Sequence, residues 1–231
     1  MNIMNMKLTI AMAVLLSAVA PTGLAAPRDA RTDDVSARNG KEIAEPVMVR
    51  IPGKNYEMGK YEVTQAEWRS VVGKNPSSFS GCGNDCPVEQ VSWNDVQDFL
   101  ARLNQKTSKQ YRLPTEEEWL YACKGGEGGL FSDPDYCGSD DIDSVAWYSE
   151  NSNRTTHPVG QKRPNGYGLF DMSGNVWEWT QDRFDSEHDW RILRGGSWSV
   201  GSKDVHATRR YKFEPEFKFR SIGFRLARTL P

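Results

Sequence analysis

The sequence predicts a single irregular α+β domain, with helices gathered in its first half and little regular structure in its second. Two observations carry this. Three times between Thr64 and Glu118, a hydroxyl residue stands three positions ahead of an acid. That spacing marks a helix start in which hydroxyl and carboxylate cap each other's backbone amides. From about residue 124 onward, glycine, asparagine, aspartate, serine and proline dominate and aromatics come singly. Such composition favours turns over long periodic elements. The eight tryptophans supply much of the apolar area for a core with so few regular elements.

Taken in order, a short strand is predicted over residues 47–51. The first helix starts at the Thr64…Glu67 box and is expected to bury Trp68 and Val72. The second starts at Ser92…Asp95, a variant box. It places Val96, Phe99, Leu100 and Leu103 at i, i+3, i+4 and i+7, one apolar face. The third starts at Thr115…Glu118 and is expected to bury Trp119 and Leu120. Further short strands are expected over 191–194 and 223–227. Phe213, Phe217 and Phe219, with Glu214 and Glu216 between, partly follow a strand alternation.

The N-terminus reads as an export signal. Lys7 precedes an apolar run from Leu8 to Ala20 that is too short to span a bilayer, and small residues follow. Cleavage is expected after Ala25. The expected organisation is a signal peptide over 1–25, a polar flexible leader over 26–44 and one domain over 45–231, secreted or periplasmic, with no membrane attachment after cleavage. The formal charge is −2 with acids and bases mixed, so no basic stripe points to nucleic acid. Four cysteines fit an oxidising compartment. Proximity pairs Cys82 with Cys86 and Cys123 with Cys137. A zinc site is the competing reading, but the spacings are irregular and export favours disulfides.

One stretch, residues 165–180, mixes glycines, tryptophans, carboxylates and side-chain amides as neither an amphipathic helix nor an alternating strand requires. It ends Asp171-Met172-Ser173-Gly174-Asn175-Val176-Trp177-Glu178-Trp179-Thr180 and resembles the signature of the formylglycine-generating enzymes, the sulfatase-modifying factors. Further motifs of that family follow in its order: Tyr61-Glu62-Val63-Thr64, Pro87-Val88-Glu89-Gln90-Val91-Ser92-Trp93, Arg112-Leu113-Pro114-Thr115, Arg194-Gly195-Gly196-Ser197-Trp198 and Gly223-Phe224-Arg225. The resemblance covers about residues 45–231 and implies an irregular fold related to C-type lectins. It also implies one calcium held by Asp171, by the carbonyls of Gly174 and Val176, and by Glu178, on turns that bring hard oxygens together. The alternative for Asp171 and Glu178 is hydrogen bonding to turn amides alone.

The family's copper site is where the resemblance stops. Its members bind copper through two cysteines soon after the Arg-Gly-Gly-Ser motif, and soft thiolates suit Cu(I). The corresponding positions here are Val200 and Val205, and no cysteine follows Cys137. Copper is therefore not expected. His157, His188 and His206 show no i, i+4 ligand spacing, and Ser197 lacks the context of a nucleophile elbow.

If the family's fold holds, residues 198–220 line its cleft. Trp198, His206, Arg209 and Arg210 are the candidate ligand-binding residues, for a peptide, a protein or a small anion, because arginine pairs with carboxylates in a bidentate manner. A core strand with solvated charges is the competing reading. The expected function is a binding or accessory module without copper-dependent formylglycine generation. One alternative is an oxidative or maturation enzyme with other chemistry, for which Glu178, Asp204 and His206 are acid–base candidates. Another is a variable-loop display protein, against which stands the absence of asparagine between Ser199 and Ser221.

Overall fold

All three predicted helix starts form reciprocal caps. In the computed structural model, which describes residues 43–126 and 134–231, the Thr64 hydroxyl accepts from the Glu67 amide at 3.2 Å, and the Glu67 carboxylate accepts from the Thr64 amide at 2.7 Å. This opens α1 (Gln65–Val72). Equivalent boxes at Ser92 and Thr115 open α2 (Trp93–Thr107) and α3 (Glu116–Lys124). The signal peptide and nearly all of the leader expected from the sequence lie outside the described residues.

The apolar face of α2 consists of Val96, Phe99, Leu100 and Leu103, as the periodicity predicts. The other two helices differ by a residue each. Helix α1 buries Val71 and leaves Val72 half-buried, because the i+3 position from Trp68 faces the core. Helix α3 buries Trp119, Ala122 and Cys123, with Leu120 half-exposed on its flank. Trp68 stacks on Phe99 at 5.0 Å, and Phe224 meets both rings edge-on. This aromatic contact joins the helical half to the C-terminal strands.

The strands are short: β1 (Met48–Arg50), β2 (Tyr56–Gly59), β3 (Tyr111–Arg112), β4 (Ala146–Trp147), β5 (Ser173–Gly174), β6 (Trp177–Arg183), β7 (Arg191–Arg194), β8 (Arg210–Phe213), β9 (Ile222–Gly223) and β10 (Ala227–Thr229). Single-turn helices α4 (Ile142–Val145) and α5 (Ser202–Val205) lie between them. One antiparallel sheet runs β1-β2-β10-β3, and a second runs β8-β7-β6-β9 with β6 and β9 parallel. Strands β4 and β5 form a separate parallel pair.

The strand expected over 223–227 is split. Its ends belong to different sheets, β9 and β10, and the chain crosses between them at Phe224 to Leu226. The alternation expected over 213–219 is not a strand either. Strand β8 stops at Phe213, and a turn follows in which the Phe217 amide donates to the Glu214 carbonyl at 3.0 Å. The phenylalanines gather by stacking: Phe213 on Phe217 at 3.8 Å and Phe217 on Phe219 at 6.3 Å. Both predicted disulfides are present, Cys82–Cys86 and Cys123–Cys137, so all four cysteines are paired.

Candidate functional site

The signature segment folds into a buried ionic centre. Asp171 and Asn175 both take positive φ (56°), and Gly174 lies at φ 82°. A Cβ on Gly174 would stand 2.3 Å from the Trp147 carbonyl oxygen, so glycine is required for space as well as conformation. These turns deliver the chain into β6, where Glu178 is 1% exposed on the strand, not on a turn.

The Glu178 carboxylate is committed on both oxygens. Arg225, 0% exposed, donates Nε and Nη2 to it at 2.7–2.9 Å, and Trp119 donates its indole N–H at 2.6 Å. The same guanidinium donates to the carbonyls of Gly59 and Phe170, tying the first sheet to the signature segment. Glu62, from the Tyr61-Glu62 motif, accepts from the Val176 amide at 3.0 Å and the Asn175 side chain at 2.6 Å. Asp171 accepts from the Gly160 amide at 2.7 Å through one oxygen, and its other oxygen is buried without a donor.

Three buried carboxylates therefore share one guanidinium. Burial, with repulsion from Asp171 and Glu178, raises the Glu62 carboxyl well above the usual carboxylate range. Burial also pushes Asp171 up to about 6, against the pull of the Gly160 amide and Arg225. For Arg225, burial works against the charge but is outweighed by Glu178, so its pKa is raised. Ionised together, the three acids exceed the guanidinium by two negative charges. The orphaned Asp171 oxygen is the open ligand atom of this centre, but among the described residues no three acids, histidines or cysteines are grouped so as to hold a metal ion by themselves. Among the expected ligands, Glu178 is the one already occupied, by Arg225 and Trp119. Glu62 and Arg225 carry the centre with Asp171 and Glu178, although sequence reasoning did not single them out. Their signal lay in the motifs Tyr61-Glu62-Val63-Thr64 and Gly223-Phe224-Arg225.

Beside this centre, on the second sheet, opens a cleft of about 450 Å³. Trp177 and Ile222 contribute from β6 and β9, Tyr211 and Phe213 from β8, and Phe217 and Phe219 from the turn beyond it. Tyr211 lies 5.8 Å from Trp177 and 5.4 Å from Phe213, ring centre to ring centre. Ser199 and Val200 line the cleft as well, so an aliphatic side chain stands where the family places its first copper cysteine. Val205, at the second position, is fully buried away from the cleft in a small core with Val145, Ala146 and Tyr148. The cleft is thus walled by aromatic and aliphatic carbon. Its charged lining is the Arg209–Asp204 ion pair, 2.9 Å apart.

Of the four residues predicted to line the cleft, Arg209 does so. Trp198 is buried, edge-on to Phe79 at 5.3 Å, and donates its indole N–H to the Arg220 carbonyl. His206 points to Asp135 at 3.2 Å, on another side of α5. Arg210 lies on the opposite face of β8, paired with Glu116 at 2.8 Å and resting over Phe184. The cause is the strand period of two: Arg210 and Tyr211 are neighbours in sequence and face opposite ways. Arg194 holds the approach to β8 by donating to the carbonyls of Ala207, Thr208 and Arg209 at 2.9–3.1 Å.

With this geometry established, comparisons with known proteins place it among relatives. A family profile described as sulfatase-modifying factor enzyme 1-like domain matches residues 23–230. The chaperone protein LppX of Paenibacillus barcinonensis is 32% identical over 229 residues, covering 76% of this chain and 80% of its own. The inactive C-alpha-formylglycine-generating enzyme 2 of Bos taurus is 34% identical over 192 residues, 71% of this chain and 57% of that one. Among solved structures, Treponema denticola variable protein 1 superposes with a TM-score of 0.69 at 28% identity, covering 81% of this chain and 93% of its own.

Proposed function

The chain belongs to the sulfatase-modifying factor enzyme 1-like family, and on that premise we propose that it is an exported binding or accessory module, not a copper-dependent formylglycine generator. The observation that carries this reading is Val200 in the cleft wall, with all four cysteines held in disulfides elsewhere. A valine offers no ligand to Cu(I), and a disulfide sulfur is not a thiolate. Relatives named as an inactive enzyme and as a chaperone support a non-catalytic role. The likeness to a variable protein supports the display alternative in fold alone, since the 199–221 segment lacks the asparagine-rich loops expected of one.

The ligand of this module seats an apolar group in the aromatic cleft, with Arg209 and Asp204 at its mouth. Large aromatic surfaces supply binding energy through buried area and ring contacts. Calcium is part of the same reading. The resemblance gives it to Asp171, Glu178 and the carbonyls of Gly174 and Val176; the Asp171 oxygen is open to it, whereas Glu178 would have to give up part of its pairing with Arg225 and Trp119. Export follows from the signal-like N-terminus, and the check is a mature chain that begins at Ala26.

Two measurements test the function. Incubated with Cu(I), oxygen and a cysteine-containing sulfatase peptide, the protein should form no formylglycine; turnover would sink the non-catalytic reading. In amide NMR spectra, N-acetyl-phenylalaninamide should shift Ser199, Val200 and Ser221. Shifts elsewhere, or none, would remove the cleft as the ligand site.

A further inference from the structure

We propose that β8 is a docking edge for an extended peptide: a partner segment alternating apolar and acidic side chains adds as a strand beside Arg210–Phe213. The proposal rests on the binding-module reading and gives the form of its ligand.

Strand β8 ends its sheet. Its residues pair with β7, from Arg194↔Arg210 to Arg191↔Phe213, and among the described residues their backbone groups bond no other main chain. In an antiparallel pair only alternate residues exchange bonds with the neighbour. Half of the amides and carbonyls of β8 therefore point outward, a ready template for another strand.

The two faces of this edge differ in chemistry. Tyr211 and Phe213 stand on the cleft side, and Tyr211, like nearby Phe219, is 46% exposed. Arg210 and Lys212 stand on the other. The Lys212 ammonium lies 3.8 Å from the Trp190 ring centre and 4.2 Å from that of Phe184, and the Arg210 guanidinium lies 4.3 Å from Phe184. Among the described residues Lys212 forms no ion pair, and Arg210 has Glu116. A lysine that guards a sheet edge extends across it into water. Lys212 instead lies half-buried across two rings, to one side of the strand.

An added strand has the same period of two as β8. One set of its side chains enters the aromatic cleft, and the other passes over Lys212 and Arg210. Apolar groups suit the first set and carboxylates the second, which places charge against charge without burying an unpaired acid. Main-chain bonds to β8 supply affinity, and the two faces select the sequence.

The test uses an acetylated, amidated hexapeptide alternating leucine and glutamate, titrated into the mature protein by calorimetry. Binding is expected, with at least a tenfold loss when alternate backbone amides of the peptide are N-methylated. N-methylation removes strand pairing and keeps every side chain. Lys212→Glu should weaken the peptide about tenfold while the protein stays fully folded at the titration temperature, and a lysine-for-glutamate peptide should then bind this variant better than the original does. Equal binding of the methylated peptide, or no binding of the hexapeptide, overturns strand addition. N-acetyl-phenylalaninamide cannot pair along the strand, so its binding to the cleft in either case leaves the binding-module reading standing. Failure of both probes removes both.

Discussion

Arg225 is the residue on which the buried centre turns. It reaches Glu178 with two nitrogens, the Gly59 carbonyl with a third, and the Phe170 carbonyl besides. Removing one partner of a buried ion pair leaves the other charged and desolvated, which costs more than the pair gained by forming. Arg225→Met should therefore destabilise the domain by about 3–5 kcal/mol in urea unfolding, while Arg228→Met, whose partner Glu57 is partly exposed, should cost about 1 kcal/mol or less. Equal losses for the two would show that Arg225 is not special. None of this was legible from periodicity. Arg225 stands in an apolar run and reads as part of a strand. The chain crosses from one sheet to the other there, and that places its side chain inside.

At the scale of elements, α3 shows how a local motif acquires a tertiary role. Glu118 closes the capping box through the Thr115 amide at 2.9 Å and is also gripped by Arg112 at 2.6 and 2.7 Å. Burial raises its carboxyl, but the Arg112 and Thr115 hydrogen bonds outweigh burial and hold it below the usual value of 4.5. A carboxylate with a depressed folded pKa adds stability above its unfolded value, and that stability is lost as pH falls through the folded one. Glu118→Gln should thus cost about 1–2 kcal/mol at pH 7, discounted for partial exposure, and the deficit should shrink steadily below pH 4.5. A deficit independent of pH would assign the loss to geometry and not to charge. The caps were legible because they depend on spacing alone. Strand β6 was not, because Trp177, Glu178, Trp179 and Thr180 are all buried and show no alternation to read.

For the whole molecule, the two sheets, the helices and the disulfides converge on a scaffold whose ionic centre and aromatic cleft share β6. Glu178 faces Arg225 and Trp119, while the preceding Trp177 lines the cleft. If calcium completes that centre, millimolar calcium should raise the melting temperature by at least about 5 °C over a chelated sample, because a ligand of the native state stabilises it by mass action. Asp171→Gly should abolish the response, because it removes the side-chain oxygen and glycine adopts the left-handed turn freely. A melt indifferent to both calcium and chelator would leave the ionic centre a purely protein device. The sequence by itself determined the family, the three helix starts, the α2 face and both disulfide pairings, since each depends on near neighbours or on a fixed order of motifs. It also showed that cysteines are missing after Cys137. Tertiary structure alone decided which way the 198–220 side chains face. The period of two in β8, the turn at Glu214 and the burial of Trp198 sort neighbouring residues onto opposite surfaces. The expected arginine-lined groove is in consequence an aromatic cleft on one face and a cationic ledge on the other.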